Sequence, residues 1–311
     1  MRKYFLLILL VLSITNFAEA RLRFLDEGQF KFDFNFNYNT TSSLYDLDGK
    51  QKIYDKDTFD IVIDDSIPYR YILKNTFELK EYVFMPKLEY GIAKDFLVFV
   101  ELPLMWMTYE NKYEMDTNRY SPTFGQQVIK ADYSSFTPAY YGLGGFIRLN
   151  SGIASSAIKF GMQLPQTLKT GYQQDTTDNF YIYNAYKYYL GLISAVNMDK
   201  GFFELETTYI YRGGNFGDIF HMKLEAGFTT VENTALKGIF VYDLNLSGYD
   251  NAQPVNPRMT TLQEDALDIG ASFEAVVADR VFIDFSYLIN LGMKNTLQYG
   301  KLALKTSVIL N

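Results

Sequence analysis

The 311-residue chain contains no cysteine and only one histidine, His221, and one tryptophan, Trp106. Without thiols there is no disulfide framework and no thiolate metal site, so stability has to come from hydrogen-bonded backbone and packing. Beyond the first twenty residues no segment approaches 18 uncharged apolar residues, which excludes a helical membrane protein. The formal charge is −7. A balance of that sign leaves no basic footprint for nucleic acid, so no nucleic-acid partner is expected. Mean hydropathy is −0.10, polar for a membrane protein; strands that show lipid only half of their residues hide from such an average.

Aromatic residues, in contrast, are abundant, with 26 Tyr and 26 Phe. Their placement matters more than their number. From Gly28 to Asn39 every second residue is aromatic and the others are polar, as in a strand with lipid on one face and water on the other. A soluble half-buried strand seldom offers five large aromatics in a row without a β-branched or small residue between facing neighbours. The alternation recurs in about a dozen segments, among them Tyr82 to Tyr90, Phe96 to Trp106, Tyr141 to Leu149, Ile158 to Leu164, Phe203 to Tyr211, Val281 to Tyr287 and Leu302 to Leu310. A closed barrel is the one β structure that can span a bilayer.

The first twenty residues read as a secretory signal: Arg2 and Lys3, an apolar run from Tyr4 to Ile14, and the small-x-small site Ala18-Glu19-Ala20. Residues 21–311 are then expected to form a single barrel domain. The expected fold class is all-β: a transmembrane antiparallel barrel of about twelve strands with short periplasmic turns and longer extracellular loops. The connections support it independently. Short turns at Gly91–Asp95, Asn150–Ser155, Asn197–Gly201, Thr230–Asn233 and Ala278–Arg280 alternate with longer connections at Thr40–Asn75, Met107–Thr137, Gln166–Asn179 and Asn245–Glu264. That parity places both termini in the periplasm of a Gram-negative cell. Aromatics such as Tyr38, Trp106, Tyr141, Tyr209, Tyr211 and Tyr287 fall where strands meet the long loops, as in an interfacial girdle. The first strand begins soon after the expected cleavage site, so no N-terminal plug is expected.

Inward positions are the complement of the lipid-facing phase. The candidate lumen-lining residues are Phe99, Glu101, Arg148, Lys159, Lys187, Glu206, Lys223, Glu225 and Asp284, with Lys237, Asp268 and Glu274 in the same phase. Both signs occur, so there is no one-sign ring of the kind that makes a pore strongly ion-selective. Pairing across neighbouring strands and contact with a solute both remain open for these charges. Apolar inward residues, including Leu97, Ile193, Ile239, Val241, Phe282 and Leu288, imply either a packed portion of the lumen or an amphipathic sleeve. Twelve strands ~4.8 Å apart and tilted ~40° enclose a backbone diameter of roughly 24 Å, leaving about 10 Å clear of side chains.

Two chemical readings are set aside. A barrel hydrolase needs a serine beside its histidine, but the local spelling His221-Met222-Lys223 has none, and the phase puts His221 in the lumen. The acidic first outer loop holds Asp46, Asp48, Asp55, Asp57, Asp60, Asp64 and Asp65, but Asp46-Leu47-Asp48-Gly49-Lys50 has lysine where a calcium loop needs an oxygen ligand. No enzymatic activity, cofactor or metal is expected.

The hairpin from Pro86 to Asp95 followed by Val98 to Glu101 and Leu102-Pro103-Leu104, with Tyr141-Gly142-Leu143-Gly144-Gly145 and Gly161-Met162-Gln163-Leu164-Pro165, resembles outer-membrane barrels of the phenol-degradation meta-pathway type. The resemblance implies uptake of aromatic or other hydrophobic compounds. One departure is the end of the chain, Val308-Ile309-Leu310-Asn311, where such barrels carry a terminal aromatic read by the insertion machinery. The reading is an outer-membrane channel or passive transporter for a small amphipathic or hydrophobic solute, with outer-membrane lipid and the barrel-insertion machinery as partners. The alternative is a structural or adhesive barrel with a filled lumen and partner-binding loops.

Overall fold

The structure is a computed structural model that describes residues 24–45, 51–53, 59–63, 70–115, 129–165, 186–198, 200–213, 217–231, 233–246, 265–278, 280–291 and 297–310. The leader expected over residues 1–20 lies outside them, as do Asp46, Asp48, Asp55, Asp57, Asp64 and Asp65 of the acidic loop.

Sixteen strand segments build one antiparallel sheet. They are β1 (Phe30–Tyr45), β2 (Gln51–Ile53), β3 (Phe59–Ile63), β4 (Arg70–Ala93), β5 (Phe96–Glu101), β6 (Leu104–Met115), β7 (Ile129–Pro138), β8 (Tyr140–Asn150), β9 (Ala154–Pro165), β10 (Lys187–Asn197), β11 (Gly201–Arg212), β12 (Ile219–Val231), β13 (Thr234–Asn245), β14 (Ala266–Ala278), β15 (Val281–Asn290) and β16 (Leu297–Leu310). β5 with β6, and β7 with β8, each make one interrupted strand, so the wall has twelve. The sheet closes because β1 pairs both with β16, from Phe30↔Leu310, and with β4, from Phe30↔Tyr90. Closure leaves no open sheet edge in the apolar zone. β2 and β3 add short pairings to β1 and β4 beyond the wall.

The lipid-facing phase read from the sequence is the exposed phase of the wall. Phe34, Phe84, Val100, Leu143, Leu190, Phe203, Phe285 and Leu304 point outward, and Leu190 is 61% exposed. An apolar band continuous around a closed sheet is stable only in acyl chains, since in water it would be a patch far beyond what soluble monomers carry. Tyr38, Tyr82 and Trp106 stand opposite one another on β1, β4 and β6, with ring centroids 4.9 Å and 5.4 Å apart. Trp106 donates its indole N–H to Ser134 Oγ at 3.2 Å. Rings with one polar tip suit the headgroup level, toward the end of the barrel that carries the long loops.

Two expectations are corrected. The strand expected from Phe96 through Trp106 breaks at Leu102-Pro103, and its neighbour breaks at Ala139 after Pro138. Proline lacks the N–H that the ladder needs, and backbone bonds from Leu102 to Pro86 O and from Ala139 to Pro103 O carry the pairing past the breaks. The stretches Thr40–Asn75 and Met107–Thr137, expected as loops, are in large part strand, since β1, β4, β6 and β7 extend well beyond the girdle. Their ladder needs only backbone pairing, so it continues where the lipid-facing alternation ends.

Candidate functional site

The interior is divided lengthwise into a filled arc and an open one. On the filled arc, β5 and β8 to β11 press their inward side chains together: Phe99, Leu97, Ala157, Ile193, Ala195 and Phe202 are all buried. The glycines of the sequence motifs make this possible. A Cβ at Gly161 would collide with the Tyr189 hydroxyl, and one at Gly144 would lie 2.7 Å from Phe99 Cζ, so these two positions let large rings lie flat on the inner wall. Lys87 Nζ sits 4.2 Å from the Phe99 ring centroid and Lys159 Nζ 5.5 Å from that of Tyr189. Lysines that cap rings in this way shield them from the aqueous side.

The open arc encloses a cavity of about 670 Å³. It follows the inner face of β16 from Tyr299 to Ile309, where Tyr299, Lys301, Ala303, Lys305, Ser307 and Ile309 all line it. At ~3.4 Å per residue and a tilt of ~40°, the ten steps from 299 to 309 cover roughly 26 Å of barrel height. That is close to the ~25 Å apolar band of such barrels. On either side of β16 the lining comes from β15 and from β1 (Lys31, Asp33, Asn35, Asn37), and further round from β12 to β14 and from Lys87 and Glu89 of β4, while Leu97, Phe146, Ile193 and Glu204 at the border of the filled arc add to it.

Charge in this cavity is unevenly paired. In its lower half, near the short turns, five carboxylates meet lysines. Lys31 bridges Asp33 and Glu89 at 3.1 Å each, Lys87 meets Glu89 at 2.6 Å, and Lys305 reaches Asp33 at 3.5 Å. Lys237, whose side chain is 5% exposed, gathers Glu225 at 3.5 Å, Glu274 at 3.2 Å and Asp284. Ser272 donates to the other Asp284 oxygen at 2.5 Å. In the upper half the acids lean on polar neighbours instead: Asp268 accepts from Asn290 at 2.6 Å and Tyr299 at 3.0 Å, and Asp243 lies 2.6 Å from His221 Nδ1. His221 thus faces an acid across the ladder. Among the described residues the lining carries six lysines and eight carboxylates, a formal −2 with His221 neutral.

Of the sequence candidates, Lys223, Glu225 and Asp284 line the cavity. Lys223 and Glu225 pair at 2.6 Å. The others lie off it. Phe99 is 4% exposed beneath Lys87. Glu101 lies over Gly142 and accepts from Gln163 at 3.3 Å. Lys159 and Glu206 pair at 2.7 Å on the filled arc. Lys187 stands at the long-loop end of β10, between Gln163 and Arg212. Arg148 sits at the short-turn end, 3.4 Å from Asp95. The inward row of β1 and the lysines of β16 were not among the candidates, although the parity that located the others marks them equally.

The residues just before β1 contribute to the short-turn mouth. The chain reverses at Gly28, whose φ of +84° is the left-handed conformation glycine adopts without strain. Gly28 N–H donates to Gly91 O at 2.9 Å and Gln29 N–H to Asp26 O at 3.1 Å. Residues before the turn enter the short-turn mouth, where Leu25 is 2% exposed and Phe24 lines the cavity beneath the Arg148 guanidinium, 4.2 Å from its ring centroid.

No family model matches the sequence, and no curated protein matches it. Among solved structures, an outer membrane channel of Pseudomonas putida F1 is similar, with a TM-score of 0.60 and 12% identity over 93% of this chain and 98% of that one. The monoaromatic hydrocarbon channel CymD aligns over 92% of this chain and 88% of its own at 10% identity with a TM-score of 0.40, and a FadL homologue of Pseudomonas aeruginosa over 92% and 90% at 10% identity and 0.39. The first of these shares the fold expected from the sequence resemblance. The closed wall, its apolar band and its girdle make this chain a β-barrel of the bacterial outer membrane.

Proposed function

We propose that this barrel is a passive outer-membrane channel for a small amphipathic solute, with its short-turn end toward the periplasm. The observation that carries the reading is the cavity that follows the inner face of β16 from Tyr299 to Ile309, a height comparable to the membrane's apolar zone. Its lining pairs charged rows with apolar side chains such as Ile193, Ile239, Val241, Phe282 and Leu288. A solute with a polar group and an apolar body can satisfy both along one path. The solute moves by diffusion, with Phe24 and Leu25 narrowing the short-turn mouth. The similar Pseudomonas putida outer membrane channel supports the class of activity, while the solute is inferred from the lining alone. A structural or adhesive barrel has no need of a cavity of this length. The test is reconstitution: liposomes holding the protein should swell in small solutes that leave protein-free liposomes unchanged. No swelling with any probe, including after removal of the long outer loops, overturns the reading.

A further inference from the structure

The upper half of the cavity holds a lysine and two carboxylates that make no lysine–carboxylate ion pair among the described residues. Lys301, on β16, makes no ion pair and no hydrogen bond among the described residues, although Asp268, Glu81 and Asp243 lie within its electrostatic reach. Asp243 and Asp268 are held by His221, Asn290 and Tyr299 rather than by an ammonium. Every lysine of the lower half, by contrast, rests on a carboxylate. A second, independent feature sits beside Lys301. Asn37, opposite Ala303 and therefore between Lys301 and Lys305 along the wall, is 7% exposed, lines the cavity, and leaves its Oδ1 without a hydrogen-bond partner. Buried polar atoms without partners are uncommon because each costs the desolvation of its group. The Asn37 acceptor, the Lys301 ammonium and two carboxylates without lysine partners among the described residues thus line one cavity, with Asp268 and Asp243 within electrostatic reach of Lys301, and an apolar strip of Ile239, Val241 and Leu288 lines it too.

A simple anion would meet Lys301 but also the two acids; a simple cation would meet the acids but also Lys301. A solute carrying both charges on groups attached to one carbon meets Lys301 with its carboxylate and the two acids with its ammonium. We infer that the upper half of the cavity is a binding station for a small zwitterion with an apolar side chain, its carboxylate on Lys301 and its ammonium between Asp243 and Asp268. This deepens the channel reading and rests on it for the route by which the solute leaves.

The experiment compares three probes of one carbon skeleton, l-leucine, 4-methylpentanoate and isoamylamine, by calorimetry on the full-length protein in detergent. Leucine should bind at least about tenfold more tightly than either single-charge analogue, since each lost charge-assisted contact is worth about that factor or more. In Lys301→Met the preference of leucine over isoamylamine should vanish, and Lys301→Arg should keep it. In Asp243→Asn the preference over 4-methylpentanoate should fall. Equal binding of the three probes, or no binding of leucine to the parent protein, overturns the inference, and that comparison needs no variant to fold. Swelling assays separate it from the channel reading. Passage of all three probes without selective binding removes the zwitterion station alone, whereas selective binding without passage removes the channel alone.

Discussion

Replacing Lys237 with methionine tests whether the ion cluster inside the wall holds the barrel together. Its ammonium ties β13 to carboxylates on three other strands, Glu225, Glu274 and Asp284, and its side chain is 5% exposed. Methionine has nearly the same length and keeps the packing, so the substitution removes the charge and little else. Three carboxylates then remain, with Lys223, 2.6 Å from Glu225, and Lys305, across the ladder from Asp284, as nearby cations. Breaking a buried pair by deleting one partner costs about 3–5 kcal/mol, because the partner left behind stays charged and desolvated. Glu274 and Asp284 are 17% and 22% exposed, so cavity water screens them and the lower end, about 3 kcal/mol, is expected. The assay is reversible urea unfolding in vesicles, read from Trp106, the sole tryptophan and a lipid-facing one. Adding Glu274→Gln and Asp284→Asn to Lys237→Met should recover most of the loss, since the stranded charges are then gone. A Lys237→Met protein within about 0.5 kcal/mol of the parent, the range of ordinary surface substitutions, refutes the reasoning.

Other expectations follow from the same geometry. Gly161→Ala puts a methyl into the Tyr189 hydroxyl and 2.6 Å from the Leu143 carbonyl oxygen and should cost about 1–3 kcal/mol by overpacking, of which Tyr189→Ala relieves only the ring contact; urea midpoints of the single and double variants decide this. Phe34→Lys places an ammonium among acyl chains and should cost about 2–4 kcal/mol in the same titration, whereas Ser286→Lys, facing the cavity, should be tolerated. Phe24→Ala with Leu25→Ala should widen the short-turn mouth and raise single-channel conductance in planar bilayers, and unchanged conductance would show that these side chains do not narrow the path. Lys237→Met should also shift the reversal potential in a salt gradient toward cations, as the lining moves from a formal −2 to −3.

What the sequence determined by itself is the wall. The alternation from Phe30 to Tyr38, its recurrence down the chain and the sorting of connections by length follow from a period-two backbone in a two-sided solvent, and a period is a local property that one segment shows alone. The same parity marked Lys223, Glu225 and Asp284 as inward. Parity says nothing about which strands face one another across the barrel, so Phe99, Glu101, Lys159 and Glu206 were indistinguishable from them until the structure set Tyr189 upon Gly144 and Gly161 and filled that arc. The Lys237 cluster draws on four strands spanning some sixty residues of sequence, and that Lys301 makes no ion pair among the described residues is likewise a matter of tertiary placement. The turn at Gly28 that sends Leu25 into the mouth depends on the meeting of β1 with the far end of β4. Local periodicity chose the architecture because the bilayer acts on every strand alike. The cavity and its charges were decided by closure, because closure alone brings distant inward faces into one enclosed volume.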